Sequence, residues 1–126
     1  MRICTSLLAL AVWCPAATAR VELGAPADAA DVTVGCMFPM SGRSGIYGRD
    51  SVGGIRVALE RLALDKPKGA PRIRVVVEDY RSKVSYALRI AEDFVRRDRA
   101  RFLCGVVSSG VGQAVSRFAA EHDVLF

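Results

Sequence analysis

Three times along this chain a short apolar run gives way to a stretch in which apolar residues recur every three or four positions. This change of period restricts the fold more than any other feature. Residues 32–38, 73–77 and 102–107 are too short for helices, rich in β-branched residues, and lack polar alternation. They read as strands, and the first, residues 32–38, as one buried on both faces. From Asp50 the spacing Val52, Ile55, Leu59, Leu62 predicts a helix capped by Asp50 or Ser51. Ser82 caps a second, with Val84, Ala87, Leu88, Ala91, Phe94 and Val95 on one face. Ser108-Ser109-Gly110 opens a third, carrying Val111, Ala114, Val115 and Phe118. Residues 124–126 begin a fourth apolar run. The predicted order is β-α-β-α-β-α-β, each helix long enough for a right-handed crossover between parallel strands. The expected fold class is α/β, a parallel sheet with helices on both faces. A sheet of three and a half strands leaves uncovered edges, so the sequence reads as an N-terminal fragment of a longer protein.

Composition narrows the function. The 126 residues are 52% hydrophobic and 25% charged, which is globular. The net charge of +5 comes from fifteen arginines and three lysines that are scattered; the nearest cluster, Arg96-Arg97-Asp98-Arg99, is interrupted by an acid. A nucleic-acid arm is a denser block with interleaved aromatics, so no nucleic-acid partner is expected. A single histidine disfavours a metal hydrolase or a histidine-based triad. Neither G-x-G-x-x-G nor a Gly-Lys-Ser/Thr loop is present, so a nucleotide or redox enzyme on such a sheet lacks its fingerprint. No catalytic residue, metal or cofactor is expected.

Residues 1–19 form a three-part pattern: a basic start at Arg2, an apolar run over residues 3–14, and small residues in Ala17-Thr18-Ala19. That is a secretory signal peptide cleaved after Ala19. The apolar run falls short of the ~20 residues needed to span a bilayer. Trp13 stands before Cys14 where lipidation requires a small residue. Cys4 and Cys14 leave with the signal, and Cys36 and Cys104 remain. An oxidising compartment permits a bridge, but both cysteines lie in apolar runs, and two buried thiols are the favoured reading. Residues 20–31, rich in Ala, Asp and Pro, read as a flexible lead-in.

Ligands of open parallel sheets bind outside the carboxyl ends of the strands. The loops there span residues 39–48, 78–83 and 108–110. Ser108, Ser109 and Gly110 place two hydroxyls and free backbone N–H groups at a helix start, which favours an anion. Tyr47 stands in a Gly-rich loop, where its ring can cover a small ligand. Glu78-Asp79 reads as a solvent-exposed approach to the second helix.

The loops, in order, resemble the periplasmic substrate-binding proteins of ABC importers, in the leucine/isoleucine/valine-binding (type I) branch. The matching residues are Gly35-Cys-Met-Phe-Pro39-Met-Ser41-Gly42, Tyr47-Gly48-x-Asp50, Gly54-x-x-x-Ala58-x-Glu60, Val77-Glu78-Asp79 and Gly105-Val-Val-Ser108-Ser109-Gly110. The resemblance covers residues 32–126. Three places depart from it: Gly105-Val106 replaces Gly-Pro, Ser82-Lys83-Val84 replaces Ser-Asp-Pro, and Leu64 to Gly69 replaces an Asn and a Gly-Gly turn.

The resemblance implies that residues 32–126 are an incomplete first lobe, a Rossmann-like parallel sheet that closes on a ligand together with a second lobe. It implies an amino acid or related amide or carboxylate as ligand, held by Ser109 with Ser108 and Gly110 beside it and lined by Tyr47. It also implies a periplasmic location and a membrane permease as partner, the chain itself not spanning the membrane. The fourth-strand loop and the second lobe then lie beyond Phe126. The competing readings are a ligand-sensing receptor ectodomain and a degenerate, non-binding remnant.

Overall fold

A computed structural model describes residues 20–65 and 67–126. The expected signal peptide, with Cys4 and Cys14, lies outside the described residues. The elements are β1 (Val21–Gly24), β2 (Val32–Phe38), α1 (Gly45–Asp65), β3 (Ile73–Asp79), α2 (Val84–Arg96), β4 (Phe102–Gly105) and α3 (Ser109–Glu121). The sheet order is β1-β3-β2-β4. β2 runs parallel to both β3 and β4, and β1 pairs antiparallel with β3. The fold is mixed α/β, with a mainly parallel sheet flanked by helices.

The two sheet faces are covered by different helices. On one face Val52, Ile55 and Leu59 of α1 pack over Cys36, Val75 and Val77. On the other, Ala87, Ile90, Ala91 and Phe94 of α2 and Val111, Val115 and Ala119 of α3 enclose Met37, Val76, Tyr80 and Leu103. These are i, i+3, i+4, i+7 and i, i+4, i+8 stripes, so each helix turns one apolar face to the sheet. Burying each large side chain contributes about 1.5–3 kcal/mol. Beside β4, Leu103 N–H donates to the Leu125 carbonyl (2.7 Å) and Leu125 N–H to the Arg101 carbonyl (3.1 Å). Leu125 thereby forms a parallel bridge with Phe102, where the fourth apolar run was expected.

Ser82 does not cap α2: the N-cap residue is Lys83, and Ser82 stands at φ 54° in the turn before it. Three further expectations need correction. First, residues 20–31 are not all a flexible lead-in, because Val21–Gly24 covers the free edge of β3. The alternation there is real. Val21 and Leu23 join the α1-side core, and Glu22 turns to the opposite face. On that face Arg20 donates to Glu22 (3.0 Å), Glu78 (2.8 Å) and Asp98, and Arg74 donates to Glu22 (2.9 Å) and Asp98 (3.3 Å). Burial works against the Arg20 charge, but the three carboxylates outweigh it and raise its pKa. Glu22 is held below the usual carboxylate range, chiefly by the Arg74 guanidinium. Glu78 is thus buried in an ion network rather than exposed to solvent.

Second, Cys36 and Cys104 are bridged and are not two thiols. They are direct partners in the β2–β4 register, on the same face, with Cα atoms 4.5 Å apart. That separation lies within the disulfide range. Side chains of opposed residues in a parallel ladder point out of the sheet side by side, so rotation about χ1 brings the sulfurs together.

Third, α1 begins at Gly45, five residues before Asp50, and takes in Tyr47. Gly48 allows this, because a Cβ there would sit 2.4 Å from the Pro39 carbonyl oxygen. The glycines that suggested a loop let a helix start directly beneath the backbone it follows.

Candidate functional site

The chain leaves β2 for α1 on one face and leaves β4 for α3 on the other. Between the carboxyl ends of β2 and β4 the connections diverge, which is the switch point where ligands of open α/β sheets bind. Tyr47 lies on the β2 side of that crevice, in the first turn of α1, and is 59% exposed. Ser108, Ser109 and Gly110 lie together on the β4 side, all exposed, at the start of α3.

Ser108 is the N-cap residue, with φ −106° and ψ 125°, yet its side chain makes no capping hydrogen bond. The helical ladder begins with Gly112 N–H donating to the Ser108 carbonyl (2.9 Å). The N–H groups of Ser109, Gly110 and Val111 precede it and have no intrahelical acceptor. Two hydroxyls, these donors and the positive end of the helix dipole share one exposed spot. That arrangement is suited to a carboxylate or another anionic oxygen.

The loops around the crevice are tied to one another by Asp79 and Tyr80, neither of which the sequence pattern marks as a tie between loops. Asp79 accepts from Met40 N–H (3.0 Å), Arg81 N–H (2.8 Å) and the Ser41 hydroxyl (2.6 Å). It therefore joins the loop after β2 to the loop after β3. Burial pushes its pKa up, but the Ser41 hydroxyl and the N–H groups of Arg81 and Met40 outweigh this and hold it below the usual range. Tyr80 is fully buried, and its hydroxyl accepts from Val107 N–H (3.1 Å), joining the loops after β3 and β4. Val106 N–H donates to the Met37 carbonyl (2.7 Å).

The turn into α3 is strained. Gly105 has φ +105°, where a Cβ would meet the Met37 oxygen at 2.1 Å, and Val106 has φ +62°. Such a β-branched residue costs roughly 1–3 kcal/mol and persists where the surroundings fix it. The sequence signal for Asp79 and Tyr80 was their place at a strand's carboxyl end. The sequence marked Val106 only as the residue that stands where the resembling family has the Pro of Gly-Pro.

An apolar groove of about 600 Å³, lined by Gly24, Leu59, Leu62, Pro67 and Ile73, lies at the opposite end of the sheet. It has no part in the crevice.

The sequence profile of the periplasmic binding protein family matches residues 31–126. The chain belongs to the periplasmic binding protein family. Among relatives, the Leu/Ile/Val-binding protein BraC3 of Rhizobium johnstonii is 32% identical over 107 residues, covering 80% of this chain and 27% of BraC3. Among solved structures, the leucine-binding protein LivK of Thermotoga maritima superposes with a TM-score of 0.63 at 27% identity, covering 75% of this chain and 26% of LivK. A branched-chain amino acid ABC transporter periplasmic ligand-binding protein of Burkholderia xenovorans gives a TM-score of 0.63 at 30% identity, over 72% and 24% of the two chains. The chain thus spans about a quarter of the length of these periplasmic binding proteins. Among the described residues, no helix is long and apolar enough to cross a membrane.

Proposed function

We propose that this chain is the first-lobe portion of an extracytoplasmic solute-binding component of an ABC importer. It holds an amino acid or a related carboxylate or amide at the start of α3 and carries out no chemistry. The observation that supports this most directly is the exposed α3 terminus at the β2/β4 switch point, where the Ser108 side chain leaves the helix cap unused. In this reading the Ser109 hydroxyl and the N–H groups around Gly110 receive the ligand carboxylate. Tyr47 covers the ligand from the α1 side. A second lobe completes the enclosure, a membrane permease accepts the solute, and the signal peptide directs the chain to the periplasm and is removed by cleavage after Ala19. The test is calorimetric titration of the full secreted gene product with amino acids, amides and aromatic acids. Saturable 1:1 binding of a carboxylate or amide is expected. Failure of the whole panel, with the protein folded, would favour the non-binding remnant instead.

A further inference from the structure

Charge that the sequence shows as scattered is gathered by the fold at one point. Three cations surround the ring of Tyr86 in the first turn of α2. The Arg81 and Arg89 guanidinium carbons lie 5.3 and 5.1 Å from its centroid, and the Lys83 ammonium lies 5.8 Å from it. The three charges therefore lie within about 11 Å of one another, close to the ~10 Å Debye length at 0.1 M salt. Arg81, Lys83 and Arg89 are all exposed. None forms an ion pair among the described residues, which include every Asp and Glu of the chain. Of the neighbouring acids, Asp79 accepts from the Arg81 N–H (2.8 Å) and the Ser41 hydroxyl and lies near the Arg81 guanidinium without forming an ion pair with it, and Glu92 pairs with Arg96 (3.1 Å).

The arrangement is unfavourable to the chain by itself. Arg81 and Lys83 precede the first turn of α2, at the positive end of its dipole, where acids are favoured; that turn contains none. The chain reaches it through Arg81 and Ser82, two non-glycine residues at φ 52° and 54°. The face of the Tyr86 ring attracts the cations and keeps them in one patch. Local rules broken without an internal partner mark functional surfaces.

We propose that this patch docks a carboxylate-rich surface of another protein. The spread of the charges suits several carboxylates rather than one small anion. Tyr and Arg together are the residues that dominate protein–protein contacts. Val84, 42% exposed, adds apolar area beside them. The patch follows β3, so it lies at the same end of the sheet as the crevice.

The test uses the full secreted protein and fluorescence anisotropy of a labelled hexaglutamate peptide at ~0.02 M salt. R81Q/K83Q/R89Q should weaken binding at least about tenfold, while R56Q/R101Q/R117Q, with the same loss of charge elsewhere, should change it less than about twofold. Tyr86→Leu should weaken it and Tyr86→Phe should not, since Phe keeps the ring. Thermal melts establish that each variant is folded. Equal weakening by the two triple variants would reduce the effect to net charge and overturn the proposal. So would inorganic phosphate or phosphatidylglycerol vesicles that bind as tightly as the peptide and lose binding in the same variants.

Discussion

The Cys36–Cys104 bridge joins the two strands that flank the crevice, and its removal has a calculable effect. It closes a loop of 68 residues. In the chain-entropy account, opening such a loop in the unfolded state costs about 4 kcal/mol at 25 °C. That is a large share of the ~5–15 kcal/mol that holds a domain together. The perturbation is C36A/C104A, compared with wild type in oxidised form and after reduction in denaturant. The assay is urea unfolding followed by circular dichroism. With a slope of ~1–2 kcal/mol per molar, the midpoint should fall by about 2–4 M. Both sulfurs are held in the bridge, so thiol reagents should label neither cysteine of the oxidised protein, even in denaturant. The intact mass should be lower than that of the reduced chain by two hydrogens. A double variant as stable as the oxidised protein, or two free thiols in the secreted product, would refute the reasoning.

Ser109→Ala should weaken ligand binding by ~1.5–3 kcal/mol, roughly ten- to a hundredfold by calorimetry, and leave unfolding unchanged because Ser108 holds the cap position. Asp79→Ala removes three hydrogen bonds between crevice loops and should destabilise by about 2 kcal/mol in urea unfolding. Because the Asp79 pKa is lowered in the fold, its contribution is complete above the ordinary carboxylate value near pH ~4 and is lost as pH falls through the lower folded value. Asp79→Asn should abolish that part of the acid dependence. Arg74→Ala leaves Asp98, 5% exposed, with Arg20 as its remaining ion partner and should cost about 1–3 kcal/mol in the same unfolding assay. Mass spectrometry of the secreted protein should find Arg20 as its first residue; an intact Met1 form in the cytoplasm would rule out export.

The three βα units were legible because each strand is a compact apolar run and each helix keeps its spacing. Of the α2 face read from the sequence, Ala87, Ala91 and Phe94 are in the core, whereas Ile90 was missed and Val84 is exposed. The same pattern placed Ser108-Ser109-Gly110 at a helix start following a strand, and the fold has α3 begin there. What escaped depended on distant parts of the chain meeting. β1 is four residues long and is held by an edge pairing and by salt bridges to residues more than fifty positions away. The start of α1 is hidden because glycines disfavour helices locally, while the close approach to Pro39 that requires Gly48 is tertiary. The disulfide depended on register, which no single strand reveals. Asp79 and Tyr80 looked like ordinary residues at a strand end until the loops they hold were in view.

The ties among Ser41, Asp79, Tyr80, Val106 and Met37 bear on the timing of binding as well as its strength. On the proposed function, a solute reaching the α3 terminus would find donors already in position, the disorder of those loops having been surrendered when the chain folds and not when the solute arrives. Arrival on this side of the crevice then involves no slow local rearrangement and is paced by diffusion and by whatever closes over the ligand. Different solutes should be captured at similar rates, and preference among them should lie in how long each remains.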